Sequence, residues 1–227
     1  HGKGILEDQD INTLVSWLES RGRNAEAIPL LQALIRNYPD LIHYYTRLMR
    51  AYHYTKQPQM LAELLQQAEK HFHQGGRWTE SNMAELANGC YTCGLPQKAI
   101  QYYDEALSLC KRDEPFSHRA NYLLYERNYH LAKAYSAVGN TIKAVDAISE
   151  AIVVAPGYYQ GNQAVTQLRE VMSQSQNLDA YVEHVDKESA KTGKDSPIIR
   201  KALGLVYASR NDHARAIKQF ELALALQ

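Results

Sequence analysis

The sequence lacks most of the features that would announce a chemistry. It has no net charge, 25 Lys and Arg against 25 Asp and Glu, and so lacks the basic excess with which proteins neutralise nucleic-acid phosphates. No stretch approaches the roughly 18 uninterrupted apolar residues of a membrane-spanning helix. No nucleic-acid partner and no membrane partner are expected. Cysteine is scarce, three in 227 residues. That odd number builds no disulfide framework, leaves room for one bridge, and favours a reducing, cytoplasmic setting. Glycine-rich phosphate loops and nucleophile–base–orienter groupings are missing, so no cofactor and no intrinsic catalysis are expected. The chain begins at His1, and residues His1–Asp10 have no apolar signal core. It is expected to be a piece of a longer protein.

What the sequence does have is a hydrophobic share of 45% with 22% charged residues, a folding composition, and an internal repeat. Gly94, Ala99, Ile100, Tyr103 and Ala106 recur as Gly139, Ala144, Val145, Ile148 and Ala151. They recur again as Asn211, Ala216, Ile217, Phe220 and Ala223, and near the start as Gly22, Ala27, Ile28, Leu31 and Leu34. Two weaker copies fill the gaps. Leu61, Leu65 and Ala68 lie 34 residues after Ala27, Leu31 and Leu34, and Leu178, Val182 and Val185 lie 34 after Ala144, Ile148 and Ala151. The step from Ala99 to Ala144 is 45 residues, a period of 34 plus an insertion of 11.

The spacing i, i+4, i+7 places these residues on one face of a helix. A matching earlier helix precedes each. Leu14 and Leu18, Leu48 and Tyr52, Leu86 and Cys90, Leu131 and Tyr135, and Leu203 and Tyr207 stand eight and four residues before the turn residues Gly22, Lys56, Gly94, Gly139 and Asn211. Glycine at such a turn takes the left-handed conformation that ends a helix. Pro39 and Pro156 stop second helices, and Ser196-Pro197 reads as an N-cap with proline in the first turn. No segment alternates with period 2, so no sheet is expected.

A 34-residue helix–turn–helix unit with Gly, Ala and Ala at these offsets and a closing proline resembles the tetratricopeptide repeat, best over Gly139–Pro156 and Leu203–Ala223. Leu61 and Leu178 depart from it, replacing the first small alanine. The resemblance covers about residues 8–227. It implies an all-α, right-handed superhelical solenoid of about six repeats, at 8–41, 42–75, 80–113, 125–158, 159–192 and 197–227. The last unit ends before its closing proline and without a polar capping helix, so further repeats or another domain are expected to follow.

The resemblance also implies a concave groove lined by the first helices, holding a peptide or protein segment. Mapped onto this sequence, that face selects Arg47, Arg50, His53 and Tyr54, then Asn88 and Tyr91, then Glu126, Tyr129, His130 and Lys133. Planar rings beside cationic donors suit acidic or aromatic segments. Loops and convex faces are the alternative surfaces, and a merely solvated helix face is the alternative reading. The clamp with which co-chaperone members hold a terminal carboxylate is not matched, since Asn12, Ser16, Arg47, Glu85, Glu126 and His130 stand at those positions.

Other motifs read as structural. Cys90-Tyr-Thr-Cys93 offers two of the four ligands zinc needs, and no second CxxC or HxxxH completes the set. Buried thiols are the expectation, with no metal site. His71 and His73, two apart, point in different directions on a helix. The insertion, about Glu114–Leu124, lengthens a first helix to about 20 residues, with Ser117 as its cap and Tyr122, Leu123, Leu124 and Tyr125 in its early turns. These either cover the array's own edge or form an apolar patch for a partner. The expected function is a docking adaptor. The alternatives are a self-association module and the regulatory arm of an enzyme whose catalytic domain lies elsewhere.

Overall fold

A computed structural model describes residues 8–113, 118–155, 157–175, 178–193 and 195–226. Among them are twelve α-helices and no strand. They alternate with short turns: α1 (Asp8–Ser20), α2 (Asn24–Asn37), α3 (Ile42–Tyr54), α4 (Pro58–Gln74), α5 (Glu80–Thr92), α6 (Pro96–Asp113), α7 (His118–Ala137), α8 (Thr141–Val154), α9 (Tyr158–Gln174), α10 (Leu178–Thr192), α11 (Pro197–Ser209) and α12 (His213–Ala225). The chain divides into two compact units, His1–Ala106 and Leu107–Gln227, with the boundary inside α6.

The turns within pairs explain themselves residue by residue. Gly22, Gly94 and Gly139 have φ of 70°, 75° and 74°, and Lys56 and Asn211 have φ of 57° and 60°. All five are the left-handed residues that the spacing marked as helix ends. In each turn the next residue's N–H reaches back five residues to a buried position of the first helix. Arg23 N donates to the Leu18 carbonyl, Gln57 N to Tyr52, Leu95 N to Cys90, Asn140 N to Tyr135 and Asp212 N to Tyr207, all at 2.9–3.0 Å. One motif thus satisfies the last carbonyls and aims the second helix back along the first.

The α9–α10 turn is different. Ser175 is extended, and the guanidinium of Arg210, from the turn after α11, donates to the carbonyls of Ser173 at 3.0 Å and Ser175 at 2.9 Å. A cation here does the work that a glycine turn does elsewhere.

In unit 1, α3 packs on α2, α4 and α5, and the buried layer runs through Val15, Leu31, Tyr45, Met49, Phe72 and Leu86. In unit 2, α8 packs on α7 and α9, and α11 packs on α9 and α12, around Leu131, Ile148, Leu168, Met172, Tyr181 and Leu203. Of the predicted first-helix pairs, only Leu14 is exposed, at 37%. Ser196 caps α11 as predicted, accepting from Ile199 N, with Pro197 in the first turn. Pro39 lies just past the end of α2, whereas Ser117 and Pro156 lie outside the described residues. The lengthened helix is α7, of 20 residues. Of its early aromatic residues Tyr125 is buried and Tyr122 exposed. No described helix is long and apolar enough to cross a membrane.

Candidate functional site

The first helices α3 and α5 of unit 1 carry six of the residues selected from the sequence. Gly89 lets them approach: a Cβ there would meet Thr46 Cγ2 at 3.0 Å. Thr46 Oγ1 then donates to Glu85 Oε1 at 2.9 Å across the seam. The first selected residue, Arg47, is spent inside the fold. Its Nε and Nη2 donate to the Glu19 carboxylate at 2.8–3.1 Å, Nη1 donates to Asn12 Oδ1 at 2.6 Å, and Nη2 donates to Ser16 Oγ at 3.0 Å. The Asn12, Ser16 and Arg47 set considered for a carboxylate clamp is thus bonded to itself and ties α1 to α3.

Its neighbours are differently placed. Arg50 is half-buried and makes no hydrogen bond or ion pair among the described residues. His53 and Tyr54 are exposed, Tyr54 at 60%, and their rings meet edge to face at 5.5 Å. On α5, Asn88 is exposed and Tyr91 half-buried.

In unit 2 the selected residues lie on α7. Tyr129 stacks on Tyr125 at 5.8 Å, and Lys133 Nζ stands 5.3 Å from the Tyr129 ring, a cation–π arrangement. Burial raises the Tyr129 phenol, helped by the charge of Glu170. Burial lowers His130, and Lys133 adds to it, so its imidazole is held toward the neutral form. Glu126 accepts from the Tyr122 hydroxyl at 2.8 Å.

The sequence reading missed the contribution of α9. Tyr125 Oη donates to Gln163 Oε1 at 3.0 Å, and Tyr159 stands 73% exposed one turn before Gln163. The available signal was the i, i+4 spacing of Tyr159 and Gln163 on the first helix of a repeat whose second helix is divergent.

The CxxC is structural. Cys90 and Cys93 are free and buried, and burial pushes their thiols up to about 12 and about 11, so neither is a thiolate at neutral pH. Among the described residues no group of three or more His, Cys, Asp or Glu is placed to hold a metal ion.

Comparison with known proteins agrees with this geometry. The sequence model of the family described as "Tetratricopeptide repeat" matches residues 83–115, the α5–α6 pair and the two residues after it. No curated protein sequence matches the chain significantly. Among solved structures, the chain is similar to the nearly identical TPR-like repeats of a putative kinesin light chain from Podosopora anserina, with TM-score 0.56 and 20% identity over 82% of this chain and 97% of that one. It is also similar to Rap protein complexed with Competence and Sporulation Factor, with TM-score 0.52 and 15% identity over 99% of this chain and 66% of that one. A third is the human IFIT1 dimer with PPP-AAAA, with TM-score 0.54 and 15% identity over 97% and 48%. At such identities the likeness is one of fold. The chain is therefore an all-α array of helix–turn–helix repeats with the fold of tetratricopeptide-repeat arrays, matching that family's sequence model over residues 83–115.

Proposed function

We propose that the chain is a docking adaptor that holds a segment of another protein in a groove lined by the exposed faces of its first helices. The observation that carries this is on α3 and α5. Arg50, His53, Tyr54 and Asn88 present a cation, two rings in contact with each other and an amide, and their side chains make no hydrogen bond or ion pair among the described residues, while Arg47 beside them is fully used. Evenly balanced charge and an aromatic-cationic face suit an acidic or aromatic segment. The Tyr125–Tyr129–Lys133 stack on α7 offers a second face of the same chemistry in unit 2. The related folds solved with Competence and Sporulation Factor and with PPP-AAAA support ligand binding by such arrays. The neutral overall charge here favours a protein segment over a polyanion.

The test uses arrayed twelve-residue peptides graded in acidic and aromatic content, titrated against the full chain. Acidic-aromatic peptides should bind the wild type and lose about tenfold or more with Arg50→Glu or Tyr54→Ala, at unchanged circular dichroism. Equal binding by both variants would remove α3 as the docking face.

A further inference from the structure

A second concave feature of unit 1 has a different chemistry. A cleft of about 590 Å³ opens between α4 and the turn joining α5 to α6. Its walls are Leu61, Leu65 and Leu95, backed by the buried Tyr52 and Cys93. The repeat marks one of these walls. Leu61 occupies the register in which Ala27, Ala99, Ala144 and Ala216 let neighbouring helices close. The branched side chain there lines the cleft with methyl groups.

The rim decides what the cleft would accept. On one side, Glu69 accepts from Lys98 Nζ at 3.1 Å and from the Tyr102 hydroxyl, so its charge is already met. On the other side stands Lys56, whose ammonium makes no hydrogen bond or ion pair among the described residues, next to the exposed ring of His53. Behind the wall, Arg50 acts electrostatically on Cys93, opposing the rise that burial causes in that thiol. The uncompensated charge around an apolar interior is therefore positive. The cleft is bordered by Glu69 and Lys98 and by Lys56, Gln57 and Pro58 of the α3–α4 turn. Its volume is that of a small-molecule site.

We infer that this cleft binds a small amphipathic anion, with an apolar chain or ring between Leu61, Leu65 and Leu95 and a carboxylate at Lys56. The cleft shares His53 with the rim of the proposed docking face, but neither Lys56 nor Ala62, which also line the cleft, belongs to that face, and the variants below are confined to those two positions. The two readings can therefore fail independently.

Decanoate and the cationic decyltrimethylammonium ion are the probes, titrated into the full chain carrying ¹³C-labelled leucine methyl groups. Decanoate should bind one to one, shift the methyl signals of Leu61, Leu65 and Leu95, and bind about tenfold or more tighter than the cation. Ala62→Trp, at an exposed position, fills the cleft and should abolish binding. Lys56→Asn keeps a residue tolerant of the left-handed turn and should weaken decanoate about three- to tenfold, with little change for the cation. Shifts spread over the exposed Leu224 and Leu226 instead would overturn the inference, as would equal affinity for both probes. If Ala62→Trp does not fold, the methyl map and Lys56→Asn still decide the matter.

Discussion

Gly204 shows how a single missing atom sets the packing of a repeat. It sits in the middle of α11, where a Cβ would fall 2.6 Å from the Phe220 ring of α12. Alanine there gains up to about 1 kcal/mol of helix propensity but meets an overpacking cost of about 1–3 kcal/mol. Gly204→Ala is therefore expected to lower the midpoint of urea unfolding. In a Phe220→Ala background, the same substitution should raise it. An unchanged sign between the two backgrounds would show that the ring moves aside freely. The buried thiols make a second residue-scale prediction. Their folded values, about 12 and about 11 against an ordinary 9.0, are raised by burial. Below pH 9 the thiols are protonated in both states and the contribution is intact. Between about pH 9 and 12 the unfolded chain ionises first, binds fewer protons, and is favoured. Stability should fall as pH rises through this window, by up to about 2 kcal/mol for each thiol at pH 10.5. Cys90→Ala with Cys93→Ala should flatten that fall in melts taken at pH 8 and pH 10.5.

At the scale of helices, the decisive residue is Arg47, whose bonds to Glu19, Asn12 and Ser16 join α1 to α3. The pair is partly buried, with side chains 12% and 25% exposed, so its loss costs more than a surface ion pair would. Arg47→Leu is expected to destabilise the docking of α1 by about 1–3 kcal/mol. Amide exchange should quicken across Asp8–Ser20 and stay unchanged in α11 and α12. Uniform acceleration along the chain would mean that the tie is not local. Arg47 also marks where the sequence stopped being legible. The turn residues Lys56 and Asn211 were readable because helix periodicity counts along the chain, and a left-handed residue must fall at a fixed offset. The partner of Arg47 lies 28 residues away in sequence, and periodicity identifies its helix face without saying whether a carboxylate is already there. The cleft escaped for the same reason. Leu61 was visible as a departure from the small-residue pattern, but the space it lines lies between α4 and the α5–α6 turn.

At the scale of the whole molecule, nearest-neighbour packing has a measurable consequence. In such arrays stability is approximately a sum of repeat and interface contributions, so distant repeats need not unfold together. This chain supplies its own reporters. Both of its tryptophans, Trp17 and Trp78, lie in unit 1, which spans His1–Ala106. Trp17 is held beneath the guanidinium groups of Arg21 and Arg23 at 5.7 and 5.3 Å. Trp78 stacks on His73 at 3.9 Å and donates to Glu105 Oε2 at 3.1 Å. Tryptophan fluorescence therefore follows unit 1, while far-ultraviolet circular dichroism follows the helices of both units. The two urea curves are expected not to coincide. Substitutions should then sort by unit, with Gly204→Ala moving the dichroism curve while leaving the fluorescence midpoint in place, and Arg47→Leu moving both. Coincident curves that shift together for both variants would instead identify one cooperative block. In that case α6, which contains the boundary at Ala106–Leu107, would be transmitting stability from one unit to the other.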